Sequence, residues 1–407
     1  MVNDIIQIFA KETIKHFAMK EIRHILSVLV IVMIAVLAAG TIVERLHGTE
    51  FALSHVYGSW WFVGLWALIA VFMVWMAVKH RMWKHFVVCA LHLSILLILL
   101  GALLTMLTGQ QGRMLLKPGE TTHTFYIGNE VENHPVELPF TLTLDHFEVV
   151  NYPETHKPMD FVSHIVIGDT SGDEEFTISM NHILRRQHYR FYQTDYDEAG
   201  NSILSASRDP WGIGVTYTGY VLLLFALVMM LLKQPKTYKA VTISWIVVLV
   251  VLAVLLHIRM LTHQLLPVLR SPFFSLHIST IVTAYALLLA IMITGIIALV
   301  KPKDKERLER LKTLSKSMLY PAVALLAIGI FIGAVWANVS WGNYWSWDPK
   351  EVWALITLLV YAAPLHDKHW KSFQKPVFYH VYGILAFLSV LITYFGVNLL
   401  LGGVHAY

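Results

Sequence analysis

The sequence predicts an all-α polytopic membrane protein of about nine transmembrane helices, carrying one small extracytoplasmic β-rich domain. Three observations lead there. Of 407 residues, 56% are hydrophobic and only 14% charged, with a mean hydropathy of +0.59, which excludes an ordinary soluble domain. Nine separate apolar runs approach the length of about twenty residues that a helix needs to cross a bilayer. A single stretch of about a hundred residues, 110–210, lacks such runs and alternates apolar with polar residues instead.

The runs fall at 25–43, 60–78, 86–107, 212–232, 241–257, 276–300, 318–338, 351–366 and 377–401, the fifth and eighth being short. The first has no small-residue cleavage pattern after it, so it reads as a retained helix and not a signal peptide. Basic residues crowd alternate connections: Lys79, Arg81 and Lys84; Lys233, Lys236 and Lys239; Lys301 to Lys316; and Lys368, Lys371 and Lys375. The positive-inside rule puts these loops and the N-terminus in the cytoplasm, and the C-terminus outside. The charged run 301–316 reads as a solvated cytoplasmic turn. Net charge is only +4, and nothing points to nucleic acid; the surrounding partner is membrane lipid.

The soluble stretch falls on the outer face. Phe140-Thr-Leu-Thr-Leu-Asp-His-Phe147 and Phe176-Thr-Ile-Ser-Met180 alternate, and Tyr189-Arg-Phe-Tyr-Gln193 is rich in strand-forming aromatics. Pro118-Gly119, Pro153, Pro158 and Gly172 punctuate them, as in antiparallel strands joined by turns. The organisation is thus residues 1–109 (helices), 110–210 (β-rich), 211–240 (fourth helix and cytoplasmic linker) and 241–407 (helices).

One string is denser in information than the rest: Trp336-Ala-Asn-Val-Ser-Trp341-Gly-Asn-Tyr-Trp345-Ser-Trp347-Asp348-Pro-Lys-Glu351. It lies between two apolar runs on the outer side. Interfacial belts place one or two aromatic rings at a helix end; this many beside an Asp suggests a flat platform for a large planar ligand. A helical turn would set Trp341 and Trp345 on one face. Asp348-Pro-Lys-Glu also has the order of a helix start, with Asp348 as N-cap.

The histidines are candidate metal ligands, separated by their position. His92 lies roughly 12 Å into the membrane from Lys84 at 1.5 Å per residue, and an ionisable group at that depth is a functional candidate. His366 closes the eighth run on the same side, after a Pro364 that can kink it; His85 and His380 compete for that face. His277 opens the sixth run and His405 closes the ninth, both on the outer side, with His257 and His263 as competitors. Arg270 and Lys350 are nearby cations for an acidic ligand. Cys89 is the only cysteine, so the chain has no internal disulfide, no CxxC pair and no CxxCH of its own.

The Trp-Gly-x-x-Trp-x-Trp-Asp order resembles the WWD signature of System II cytochrome c maturation. Residues 241–407 resemble CcsA/ResC through Leu269-Arg-Ser-Pro-Phe-Phe-Ser-Leu-His277, Gly333-Ala-Val-Trp-Ala-Asn338, Trp341 to Glu351, Trp353-Ala-Leu-Ile-Thr357 and Phe395-Gly-Val-Asn-Leu-Leu400 to His405. Residues 25–232 resemble CcsB/ResB through His92-Leu-Ser-Ile-Leu, Gly101-Ala-Leu-Leu-Thr105, Leu138-Pro-Phe-Thr-Leu142, Phe191-Tyr-Gln193 and Asp209-Pro210. The order is that of the fused synthases CcsBA, with a much shorter soluble domain.

The resemblance implies a multi-pass protein of the bacterial inner (cytoplasmic) membrane acting as a holocytochrome c synthase, or haem lyase. Its cofactor would be haem b, held transiently and non-covalently. His92 with His366, and His277 with His405, would be pairs of axial iron ligands. Trp341, Trp345, Trp347 and Asp348 would present the haem. The partners implied are an apocytochrome c with a CxxCH motif and a separate thiol reductant. A haem exporter without lyase activity is one rival. A b-type electron-transfer subunit is another, disfavoured because no run carries two deep histidines.

Overall fold

The computed structural model describes residues 2–128, 133–170 and 172–401, with side chains from residue 24 onward. The helices are α1 (Val2–His47), α2 (Thr49–Ala52), α3 (Trp60–Lys79), α4 (Phe86–Thr108), α5 (Gly212–Leu232), α6 (Lys236–Thr262), α7 (Pro272–Leu299), α8 (Lys305–Ser340), α9 (Pro349–Ala362) and α10 (Pro376–Leu391), which continues as a π-helix over Ile392–Leu401. Between α4 and α5 run eight strands: β1 (Gln110–Leu116), β2 (Thr121–Gly128), β3 (Asn133–Asn151), β4 (Pro158–Asp169), β5 (Gly172–Ser179), β6 (Leu184–Arg186), β7 (Tyr189–Tyr196) and β8 (Ser202–Arg208).

This corrects the all-α class with one small β-rich domain. The strands form one large antiparallel sheet, ordered β5-β4-β3-β2-β1-β8-β7-β6, that curls until its two ends nearly meet. Arg186 of β6 closes the seam by bonding Asp169 of β4 at 2.8 Å and Glu174 of β5 at 2.6 Å. All eight strands contribute inward side chains, among them Met114, Phe125, Leu142, Ile165, Ile178, Leu184, Phe191 and Leu204. At one end of that interior Ser163 Oγ donates to Gln193 Oε1 at 2.6 Å, pairing two buried polar groups within the sheet. A sheet that closes on itself buries one face without any long apolar run, which is why only three strands stood out in the sequence.

The helix count is corrected too. Among the described residues eight helices are long and apolar enough to cross a membrane, not nine. The eighth run is α9, only 14 residues, or about 21 Å long at 1.5 Å per residue. Asp348 fixes its start, accepting from Lys350 N, and the chain turns into a 3-10 segment, Ala363–His366, around Pro364. Inside the bundle α9 packs on α1 and α10. The run 301–316 is a solvated turn only over 301–304: α8 begins at Lys305, capped by Asp304, whose Oδ1 accepts from Arg307 N at 3.0 Å. Lys312 is buried with Nζ on the Gln374 carbonyl, and Lys316 pairs with Asp367.

One core joins α7, α8 and α10 through Leu287, Leu326 and Phe387. A second joins α1 to α9 through Met33, Leu37, Val352 and Ile356. Helices α4 and α5 cross closely: a methyl on Gly101 would sit 2.2 Å from Thr216 Oγ1, so glycine is required there. The lysine-rich connections gather at one end of the bundle, where Trp370 Nε1 donates to Ser27 Oγ at 2.9 Å and the rings of His80 and His369 lie 5.8 Å apart. The sheet docks at the other end.

Candidate functional site

At the lysine-rich end the rings of His92 and His366 lie side by side, perpendicular and 6.3 Å apart between centroids. His92 sits on α4, with Nδ1 2.8 Å from the Val88 carbonyl; His366 ends the 3-10 turn after α9, with Nδ1 3.0 Å from the Ala362 carbonyl. A carbonyl only accepts, so each Nδ1 is the protonated nitrogen and each Nε2 carries the lone pair that a metal needs. The early end of α9 is what brings His366 beside His92. The competitors are placed otherwise. His85 is exposed before α4, and His380 is buried with Nε2 donating to the Leu308 carbonyl at 3.2 Å.

At the other end, α8 stops at Ser340, and residues 341–348 are irregular. Trp341 and Trp345 therefore do not share a helical face. The rings pack edge to face: Trp336 with Trp341 at 5.2 Å and Trp345 with Trp347 at 5.9 Å. Trp347, at φ +60°, lies flat on Tyr57 from the segment before α3, 4.9 Å away with 6° between planes. His277 of α7 stands beside Trp336, ring centroids 6.4 Å apart. Its Nδ1 donates to the Gly329 carbonyl at 2.8 Å, again leaving the lone pair on Nε2. Gly333 makes room for this ring, since a Cβ there would lie 2.7 Å from Nδ1. His405 lies outside the described residues.

Asp348 is buried and caps α9, its Oδ1 2.9 Å from Lys350 N, while Glu351 reaches back to Ser346 N at 2.8 Å. The pair is a variant of the capping box, Asp348 meeting the second helical N–H and Glu351 reaching the N–H two residues before the cap, and it fixes the backbone that carries Trp347. Lys350 Nζ donates to Asn398 Oδ1 at 2.8 Å, and Arg270 lies over the Tyr152 ring at 5.4 Å.

The sequence reading assigned no role to Asn338, one residue of the quoted Gly333–Asn338 string. It is 1% exposed, and its Oδ1 accepts from Arg190 Nη1 and Tyr217 OH, each at 2.8 Å. Its Nδ2 donates to the Gly342 carbonyl at 3.0 Å. One amide thus ties β7, α5 and the Trp loop together. The one signal for it was an uncharged amide closing a long apolar helix. Nearby, Ser340 Oγ donates to Asn181 Oδ1 at 2.6 Å, and Tyr344 OH to Thr105 Oγ1 at 2.9 Å.

A family model described as Cytochrome C assembly protein matches residues 213–405, and one described as ResB-like family matches 73–210. The chain belongs to the System II cytochrome c maturation family. It joins the two parts in one polypeptide, and it is a multi-pass membrane protein. Protein NrfI of Wolinella succinogenes is 37% identical over 153 residues, 35% of this chain and 17% of that one. Cytochrome c biogenesis protein CcsA of Chlamydomonas reinhardtii is 39% identical over 153 residues, 35% of this chain and 42% of its own. CcsA of Pyropia yezoensis is 52% identical over 102 residues, 25% and 31%. The chain matches less than half the length of each of these three relatives.

Proposed function

We propose that the protein carries haem b across a bacterial inner membrane and presents it at the Trp-rich loop, for covalent attachment to the CxxCH of an apocytochrome c. The observation that carries this reading is the His92–His366 pair. Two imidazoles on opposite sides of one metal, each with a metal–nitrogen distance of about 2 Å, have ring centres roughly 6 Å apart. The separation of 6.3 Å and the two Nδ1–carbonyl bonds, which leave each Nε2 lone pair for a metal, support that arrangement. Haem is cargo here, held without a covalent bond.

The outer site would take His277 and His405 as ligands, with Trp341, Trp345 and Trp347 walling the porphyrin and Asp348 holding their backbone. The lysine-rich end faces the cytoplasm in this reading, which puts the Trp loop, the sheet and the C-terminus outside. Attachment adds a cysteine thiol across a haem vinyl group, and the protein contributes orientation and proximity of the two partners. Its own single cysteine, half-buried Cys89 within α4, offers no dithiol, so a separate protein keeps the apocytochrome thiols reduced.

Co-expression with a CxxCH reporter in a strain lacking its own maturation system tests this. Holocytochrome should form, and His92→Ala with His366→Ala should lower haem content at both ends of the bundle. His277→Gly should lose low-spin haem and recover it in part with imidazole in the medium, whereas Trp345→Ala and Trp347→Ala should not. An unchanged haem load in the His92/His366 double variant sinks the transmembrane route. Haem transfer without thioether formation on the reporter would leave an exporter.

A further inference from the structure

Strands β6 and β7 are joined by Gln187 and His188, both with positive φ (49° and 69°), the signature of a type I′ hairpin turn. The turn closes on Arg186 opposite Tyr189, which places Arg185 directly opposite Arg190. In such a hairpin this second pair is the non-hydrogen-bonded one, with Cβ atoms roughly 5 Å apart. Like charges in that position repel and destabilise the strand pair. Neighbouring Arg186 is neutralised by Asp169 and Glu174, but among the described residues no carboxylate lies within ion-pairing distance of Arg185 or Arg190. Arg190 bonds a neutral amide, that of Asn338, which also holds the Gly342 carbonyl of the Trp loop. Both guanidinium charges reach Tyr192 and Tyr217, so both sit at the junction of sheet and bundle. The other basic groups near the loop are engaged: Arg270 on Tyr152 and Lys350 on Asn398.

We propose that Arg185 and Arg190 form a dicarboxylate subsite of the outer site, and that it takes the two propionates of the haem. This rests on the outer-site reading above. A cross-strand pair of unneutralised guanidiniums beside the Trp loop suits two carboxylates, each met by a planar fork of donors. Binding the cargo would then relieve the repulsion between the strands, so the sheet domain senses whether haem is present.

The test uses the full chain carrying His92→Ala and His366→Ala, so that only the outer site is read, titrated with haem and with haem dimethyl ester. The parent should prefer haem to the ester by roughly a hundredfold, about tenfold for each charge-assisted contact. Arg185→Gln with Arg190→Gln should abolish that preference while ester affinity stays within about twofold. Arg185→Lys with Arg190→Lys should retain part of it. A preference for haem that survives the Gln pair overturns the proposal. Loss of haem and ester together in the Gln pair also overturns it, because the arginines would then be shaping the loop through Asn338. An unchanged haem preference with a fall in holocytochrome yield would assign the pair to acidic side chains of the apocytochrome instead. If the parent shows no His277-dependent uptake of either compound, the outer-site reading itself fails and takes the proposal with it.

Discussion

Replacing Gly342 with alanine should loosen the Trp loop by an amount that can be worked from two neighbours. Gly342 has φ +92°, where an L side chain is strained by about 1–2 kcal/mol. Its Cβ would also lie 2.8 Å from Cε2 of Tyr192 and 3.2 Å from Cδ2 and Cζ. Tyr192 is 0% exposed, clamped between β8 and the bundle, so its ring has nowhere to go. Overpacking of that kind costs about 1–3 kcal/mol. The two together give about 2–5 kcal/mol, enough to separate the loop from the sheet before the sheet itself unfolds. The assay is denaturant unfolding of the purified protein in detergent, run as a double-mutant cycle with Tyr192→Ala. Removing the ring should rescue the steric part and leave the backbone part, a coupling of about 1–3 kcal/mol. Outer-site haem should fall in Gly342→Ala and partly return in the double variant. A cost under about 0.5 kcal/mol, or additive effects within that margin, would refute the packing of Tyr192 against the loop.

Two further outcomes follow from the same structure. Hydrogen bonds from Arg186 hold the Asp169 carboxyl below the usual carboxylate range, so the seam gains stability that is complete above the ordinary Asp pKa of about 4 and is lost as pH falls through the lower folded value; hydrogen exchange over β4 to β6 should show Arg186→Gln flattening that acid dependence, and an unaltered slope counts against the seam. Reporters at residues 80, 236, 308 and 370 should all read the cytoplasm and those at 160, 263 and 343 the opposite side; agreement between 343 and 80 would break the proposed orientation.

The spans were legible because a helix in lipid satisfies its own backbone, so a uniform apolar run needs no tertiary information to be recognised. The same logic fails for α9. Its sequence, Pro349–Ala362, is apolar enough to look like part of a span, but a cap at Asp348 and a break before Pro364 leave 14 helical residues. The sheet was under-read for the opposite reason. Strands such as β5, Gly172–Ser179, leave Asp173, Glu174 and Glu175 all exposed and bury only Ile178. Their pairing spans up to several tens of residues and leaves no local period longer than two. Lys312 misled by its charge: a lysine reads as solvent-facing until a carbonyl such as that of Gln374 is seen to receive its ammonium.

The candidate site divides along the same line. Depth in the membrane singles out His92 from sequence alone, but its 6.3 Å approach to His366 joins residues far apart in the chain, and no local pattern carries it. The tryptophans announce an aromatic site, yet their arrangement is set from outside the motif. Trp347 takes its plane from Tyr57. Tyr344 hangs on Thr105, which itself donates to Asp209 at 2.6 Å. Asn338 reaches Arg190 and Tyr217. All four partners lie before residue 233: Thr105 and Arg190 within the ResB-like match, Tyr57 ahead of it, and Tyr217 at the start of the cytochrome c assembly match. The Trp loop lies late in the cytochrome c assembly match, but these supports come from α5 and the chain before it. Cutting the chain at 233–235, between α5 and α6, and expressing the second part by itself would therefore strip the loop of Tyr57, Thr105, Arg190 and Tyr217 at once. The buried Asn338 oxygen would lose both its donors, at a cost of roughly 1–3 kcal/mol for an unmet buried group. The fusion holds the loop in shape as well as joining the two matched parts.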